Sequence, residues 1–169
     1  MEEDTMKKMS TRKIVLGGSI AALYVALTFL AAAFGLASGV IQVRLSEALT
    51  ILPVLMPEAV PALTIGCVLA NLLTGCAPWD VVFGSLATLI GACGTWLLRK
   101  KPAIAWIPPV ISNMVIIPFV LQQVYGVPDA WWFLALTVGA GEIISCGILG
   151  MLLYHSLRRV PEFRGKTPE

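Results

Sequence analysis

Long apolar runs dominate this chain, and the few polar positions that interrupt them mark out its elements. A helix that crosses a bilayer needs about 20 apolar residues, within a range of roughly 17–25. Residues 14–36 (IVLGGSIAALYVALTFLAAAFGL), 81–98 and 130–157 meet that requirement, and 103–125 meets it despite its prolines. Residues 45–76 are too long for one helix, and Pro53, Met56-Pro57-Glu58 and Pro61 break the middle. The pattern predicts two short spans there, 45–56 and 59–75, hinged at the sequence MPEAVP. The basic start and the Ala31-Ala32-Ala33 run imitate a signal peptide, but the apolar stretch is too long for one, so a retained first span is expected.

Charge fixes the orientation. Basic residues cluster at Lys7, Lys8, Arg12 and Lys13, at Arg99, Lys100 and Lys101, and at Arg158, Arg159, Arg164 and Lys166. Short cytoplasmic loops hold an excess of Lys and Arg. Placing all three clusters on that side requires an even number of spans between each pair, so four spans precede Arg99 and two follow Lys101. The reading is an all-α integral membrane protein of the cell membrane, a single multi-pass domain over residues 1–169 with six transmembrane helices and both termini cytoplasmic. Outer loops fall at about 37–44, 75–80 and 125–129 and inner loops at MPEAVP and RKKP; the polar ends 1–10 and 160–169 are expected to fray.

Composition agrees. The 169 residues are 57% hydrophobic and 13% charged, with a mean hydropathy of +0.84; soluble domains carry roughly 25% charged residues. So small a soluble domain could not bury this much apolar surface. The basic residues form no face with interleaved aromatics, which argues against nucleic acid as a partner. Cys67, Cys76, Cys93 and Cys146 make no CxxC pair and no histidine stands at ligand spacing, so no metal site is expected and the thiols read as small packing groups.

Motifs for nucleotide binding fail on inspection. Gly165-Lys166-Thr167 ends like a phosphate-binding loop, but the required first glycine is Val160; Gly139-Ala140-Gly141 begins like a dinucleotide fingerprint, but its third glycine position is Ile144. A serine hydrolase would need Ser85 and His155 in contact, and the predicted spans separate them by on the order of 20 Å in depth. No catalytic residue and no cofactor is expected, and the chain lacks a motor of its own.

Polar groups inside apolar spans cost about 2.5–3.5 kcal/mol each on insertion scales and usually line a cavity or pathway. Glu142 lies about 19 Å into the last span, on a face shared with Trp131, Ala135, Val138, Cys146 and Leu149. A structural carboxylate bonded to another helix, or one simply kept protonated, is the plainer alternative. Asn113 sits at similar depth, beside a carbonyl that Pro118 leaves unpaired, and could equally glue two helices. Thr64, Cys67, Asn71 and Thr74 form a polar stripe at helical spacing. Arg44 is the one basic residue placed outside, with Glu47 three residues on. Asp80 starts the fourth span, where an N-cap role competes with a binding one. These groups draw an outer rim of Arg44, Glu47, Asn71, Trp79 and Asp80 above a deeper pair, Asn113 and Glu142, which suggests a pocket open to the outside. On the first span Gly18, Ala22 and Ala26 recur every four residues, a spacing that lets another helix approach, from a partner or within the bundle.

With these residues in view the chain resembles the substrate-binding S components of energy-coupling factor (ECF) transporters, and within them the queuosine-precursor branch, the QueT family. The resemblance covers about residues 10–160. Its markers are Ala22-xxx-Ala26, the segment Gln42-Val43-Arg44-Leu45-Ser46-Glu47-Ala48-Leu49, Gly66 through Asn71, and Asp80-Val81-Val82-Phe83-Gly84-Ser85. It implies an ECF S-component-like bundle that binds a small-molecule substrate outside and topples to release it inside, powered by a membrane coupling subunit and two ATPase subunits. Ala22 and Ala26 would then meet the coupling subunit. A deazaguanine-type base would suit Glu142 or Glu47 as acceptors, Asn71 or Asn113 as complements, Trp79 or Trp131 as stacking partners, and Asp80 or Glu47 for an aminomethyl group, with Arg44 orienting Glu47. An S component for another vitamin-like solute, or a non-transport membrane scaffold, are the alternatives.

Overall fold

A computed structural model describes residues 2–36 and 41–163, residues 2–10 and 162 by their backbone alone. Residues 37–40 of the first expected outer loop, the side chains of Lys7 and Lys8, and the Arg164-to-Thr167 run lie outside the described residues. Helix α1 is Glu2–Ala33; a 3-10 segment follows at Leu45–Val54, then α2 at Ala59–Leu73 and α3 at Pro78–Leu97. After a short 3-10 turn at Pro102–Ile104 come α4 (Ile107–Gln123), α5 (Trp131–Glu142), a π-helical stretch (Ile143–Leu149) and α6 (Gly150–Leu157). The last three run on as one apolar span, and there is no strand among the described residues.

Four helical stretches are long and apolar enough to cross a membrane: Thr11–Ala33, Pro78–Leu97, Pro102–Gln123 and Trp131–Leu157. Leu45–Val54 and Ala59–Leu73 are shorter apolar helices, separated by a turn at the expected MPEAVP hinge. Two expectations need correction. Residues 2–10 are helical rather than frayed: Glu3 and Asp4 precede Lys7 and Lys8 by four positions, the spacing that favours helix, and acids suit an N-terminus. The 45–56 segment winds as a 3-10 rather than an α-helix. At about 2.0 Å per residue instead of 1.5 Å, this winding stretches a short segment further through the bundle.

Polar and charged side chains lie buried beside an apolar core, and many large apolar side chains face outward. Ser46, Glu47, Thr50, Asn71, Asp80, Ser85, Thr88, Thr95, Ser112, Asn113, Glu142 and Ser145 are all buried, while Ile14, Phe34, Ile65, Leu73, Leu97 and Leu136 are exposed. In water that distribution would be unstable; in lipid it is the expected one. The 3-10 segment lies at the centre, packed against α1, α2, α3, α6 and the π-helical stretch. Around it Ile51, Leu63, Ala59 and Met56 form the dry core.

Glycines bring the helices together. A Cβ on Gly66 of α2 would stand 2.9 Å from the Tyr24 Cβ of α1, one on Gly91 of α3 would stand 2.6 Å from the Pro109 Cα of α4, and one on Gly139 of α5 would stand 2.6 Å from the Met114 sulfur of α4. Gly75 (φ 75°) closes α2: the Cys76 N–H donates to the Asn71 carbonyl at 3.0 Å, the left-handed helix stop that glycine favours. On α1, Ile20, Ala21 and Tyr24 face inward, whereas Gly18, Ala22 and Ala26 are exposed. The small-residue stripe is therefore not consumed by packing within the bundle.

Candidate functional site

The 3-10 segment carries Glu47 to the centre of the bundle, and α5 ends at Glu142 opposite it. Both are buried, at 0% and 4% exposure. Their carboxylate oxygens and the Cys146 Sγ lie within 4.8 Å of one another. The π-helical turn that starts after Glu142 widens the winding here, a distortion that recurs at functional positions. It leaves the Cys146 thiol donating to Glu142 Oε2 at 3.2 Å. Thr50 Oγ1 donates to the Glu47 carbonyl at 2.6 Å and to the Cys146 sulfur at 3.4 Å.

Each acid has a protein donor on one oxygen. Tyr24, on the inward face of α1, donates its hydroxyl to Glu47 Oε1. Glu47 Oε2 is buried without a hydrogen-bond partner among the described residues, and so is Asn113 Nδ2. Asn113 is 1% exposed and stands beside Glu142. Buried polar atoms ordinarily find partners, because an orphaned one costs about 1–3 kcal/mol. The open Glu47 acceptor, and an Asn113 amide turned to the Glu142 carboxylate, leave hydrogen-bonding capacity at the acid pair.

Arg44 completes this group. It is half-buried, and its charge acts on both Glu142 and Glu47. Its backbone is held by Ser145, whose Oγ accepts from the Arg44 N–H at 3.1 Å and donates to the Gly141 carbonyl at 3.0 Å. Gly141 lets this segment come close, for a Cβ there would overlap the Gln42 carbonyl oxygen.

Asn71 and Asp80 meet elsewhere. Asn71 Nδ2 and Asp80 Oδ1 both lie over Gly84, at 3.1 and 3.5 Å from where its Cβ would be. A seam of weak hydrogen bonds leads inward from them: Asn71 Nδ2 to Cys67 Sγ at 3.6 Å, and Thr88 Oγ1 to the same sulfur at 3.4 Å, with Thr88 adjoining Glu47. Asp80 does not cap α3; the capping position is Ala77, followed by Pro78. Its Oδ2 instead accepts from the Tyr125 hydroxyl at 2.8 Å, and the same hydroxyl accepts from the Ala77 N–H at 3.2 Å. Tyr125 lies in the turn beyond α4. Partial burial, reinforced by the Asp80 carboxylate, pushes its phenol up to about 12, so it stays a proton donor in neutral water.

The two tryptophans are not brought to the acid pair. Trp79 is 62% exposed and stacks on Phe83 at 6.0 Å, while Trp131 is 44% exposed at the far end of α5 from Glu142. Tyr24, Ser145 and Cys146 were not among the residues expected at the site. Between the C-terminal end of α4 and the N-terminal half of α5 lies a cleft of about 310 Å³ lined by Gln42, Asp129, Phe133, Leu134, Thr137 and Val138, among others. Val138 is one helical turn from Glu142, but neither Glu47 nor Glu142 lines the cleft.

A family model described as QueT transporter matches residues 14–159. The queuosine precursor transporter QueT of Lactococcus lactis subsp. cremoris (strain MG1363) is 40% identical over 86 residues, which is 50% of this chain and 50% of that protein. The match thus spans about half the length of that curated relative. No solved structure matches.

Proposed function

Because this chain belongs to the QueT transporter family, we propose that it is the substrate-binding S component of an ECF-type importer and that it takes up a queuosine precursor, a 7-deazaguanine base or queuine. In this reading the six apolar helices cross the membrane, both termini are cytoplasmic, and a coupling subunit with two ATPase subunits drives transport. The exposed Gly18, Ala22 and Ala26 stripe is the surface offered to the coupling subunit.

The observation that carries the substrate reading is the pair of orphaned atoms beside Glu142: the Glu47 Oε2 acceptor and the Asn113 Nδ2 donor. A lactam–amidine edge presents adjacent N–H donors next to a carbonyl, and it would satisfy both. Glu47 and Glu142 accept from the ring N–H and exocyclic amine, Asn113 donates to the carbonyl, and Arg44 fixes the acids. Asn71 and Asp80 form the outer part of the path, and Trp79 and Trp131 guard its rim rather than stack in the present arrangement.

Calorimetric titration of the purified chain with queuine, the aminomethyl base and the cyano base, with guanine and thiamine as controls, tests this. One-to-one binding of a deazaguanine is expected, weakened at least tenfold by Glu142→Gln, since a hydrogen bond to a charged group contributes about 1.5–3 kcal/mol. Thiamine binding in place of the deazaguanines would keep the S component and discard the substrate. No binding would discard both.

A further inference from the structure

Cys67 reads as a small packing thiol, yet its sulfur collects polar neighbours from three helices. It is 1% exposed, on the inward face of α2. Asn71 Nδ2 donates to it at 3.6 Å from one turn further along α2, and Thr88 Oγ1 donates at 3.4 Å from α3. The Tyr24 phenol of α1 lies within hydrogen-bonding reach of the same thiol. Gly66, the residue before Cys67, is what admits Tyr24 so close. Tyr24 has a single hydroxyl proton, and it goes to Glu47 Oε1. Towards Cys67 the phenol oxygen is therefore the acceptor and the thiol the donor. The bonds run in one sense, from the Asn71 amide to Cys67, from Cys67 to Tyr24, and from Tyr24 to Glu47.

We propose that Cys67 is a positioning residue for substrate binding: acting through Tyr24, it fixes Glu47 so that Oε1 is engaged by the protein and Oε2, the open buried oxygen, is presented to the ligand. The proposal rests on the transport reading above and adds to it a residue that touches no ligand. Hydrogen bonds aligned head to tail polarise one another, and in a low-dielectric interior such a chain holds its members more firmly than isolated bonds do. Without the thiol the phenol oxygen loses its donor, and the hydroxyl is free to turn between the two Glu47 oxygens. The oxygen meant for the ligand is then partly taken up by Tyr24. The argument is the same for a protonated and an ionised Glu47, because Tyr24 occupies Oε1 and a proton on the carboxyl would sit on Oε2.

The test is calorimetric titration of the full chain in lipid nanodiscs with queuine and with the aminomethyl base, comparing the native protein with Cys67→Ala, Cys67→Ser, Tyr24→Phe and the double variant Cys67→Ala/Tyr24→Phe. Cys67→Ala is expected to weaken binding about fivefold, the loss that one hydrogen bond carries. Cys67→Ser, which keeps a donor and an acceptor at that position, is expected to recover most of it. In the Tyr24→Phe background, where the relay is already cut, Cys67→Ala is expected to add no further loss. Native affinity in Cys67→Ala overturns the proposal, whatever its thermal midpoint, and so does a loss of equal size with and without the Tyr24 hydroxyl. Failure of the native chain to bind either base overturns the transport reading instead. The relay is then judged on thermal unfolding of the same variants: a double variant no less stable than the weaker single one supports it, and destabilisations that simply add overturn it.

Discussion

Gly141→Ala is the most direct test of how the site is built. Gly141 is the residue before the end of α5, and the added methyl would overlap the Gln42 carbonyl oxygen and stand 2.9 Å from the Gln42 carbonyl carbon. Both obstacles are backbone, so no side chain can swing aside. Restoring ordinary contacts of about 3.5 Å moves the 41–44 segment away from α5 by on the order of 1 Å. That shift breaks the 3.1 Å bond from the Arg44 N–H to Ser145 Oγ and carries the guanidinium away from the acids it serves. Overpacking of this kind costs about 1–3 kcal/mol in stability. Weakening one charged interaction at the ligand adds about 1.5–3 kcal/mol to the loss of affinity, or roughly 10–100-fold. Gly147→Ala is the control: it lies in the adjoining π-helical stretch, and its Cβ would meet the Trp106 ring at 3.4 Å and Ile143 Cγ2 at 3.7 Å, both ordinary contacts. Titration of both variants with the best-binding base, alongside thermal unfolding in detergent, gives the answer. If Gly141→Ala bound and melted like Gly147→Ala, the close approach of the Gln42–Arg44 segment would have no role in positioning the site.

Three further outcomes follow from contacts elsewhere. Gly91→Ala and Gly94→Ala, which drive a methyl into Pro109 and Pro108 at the α3–α4 contact, should each lower stability by about 1–3 kcal/mol, read as a drop in the thermal midpoint. Tyr125→Phe removes the donor to Asp80 and the acceptor for the Ala77 N–H, and should cost about 1 kcal/mol in unfolding measurements. Ala26→Leu fills the exposed stripe without touching the interior; if the proposed coupling subunit docks there, substrate binding by the isolated chain should persist, while co-purification with that subunit and uptake in cells should fall several-fold or more.

Element positions were legible in the sequence to within a few residues, because apolar length and proline placement are local signals. The hinge at MPEAVP became the turn between Val54 and Ala59, and the 130–157 run is one span from Trp131 to Leu157. Winding was not legible. Nothing in the residues Leu45–Val54 separates a 3-10 from an α-helix, and the π-helical stretch after Glu142 packs against that segment, a long-range contact that no local pattern encodes. Charged groups in apolar runs were conspicuous, so Arg44, Glu47 and Glu142 could be named. Tyr24 and Cys146 could not be separated from packing residues, since a phenol or thiol in an apolar run is compatible with either use. Asp80 was visible as a polar group, but its partner Tyr125 lies 45 positions away. Exposure of Trp79 and Trp131 was invisible for a related reason: an indole suits a lipid headgroup region as well as a ligand.

The central position of Leu45–Val54 constrains the order in which the chain matures. This segment is synthesised early, yet part of its cover comes from the π-helical stretch and α6, which emerge last. Until Ile143–Leu157 has entered the bilayer, Glu47 lacks the Cys146 thiol that closes over its carbonyl at 3.5 Å. The last span is thus the part of the chain that completes the cover of the central segment.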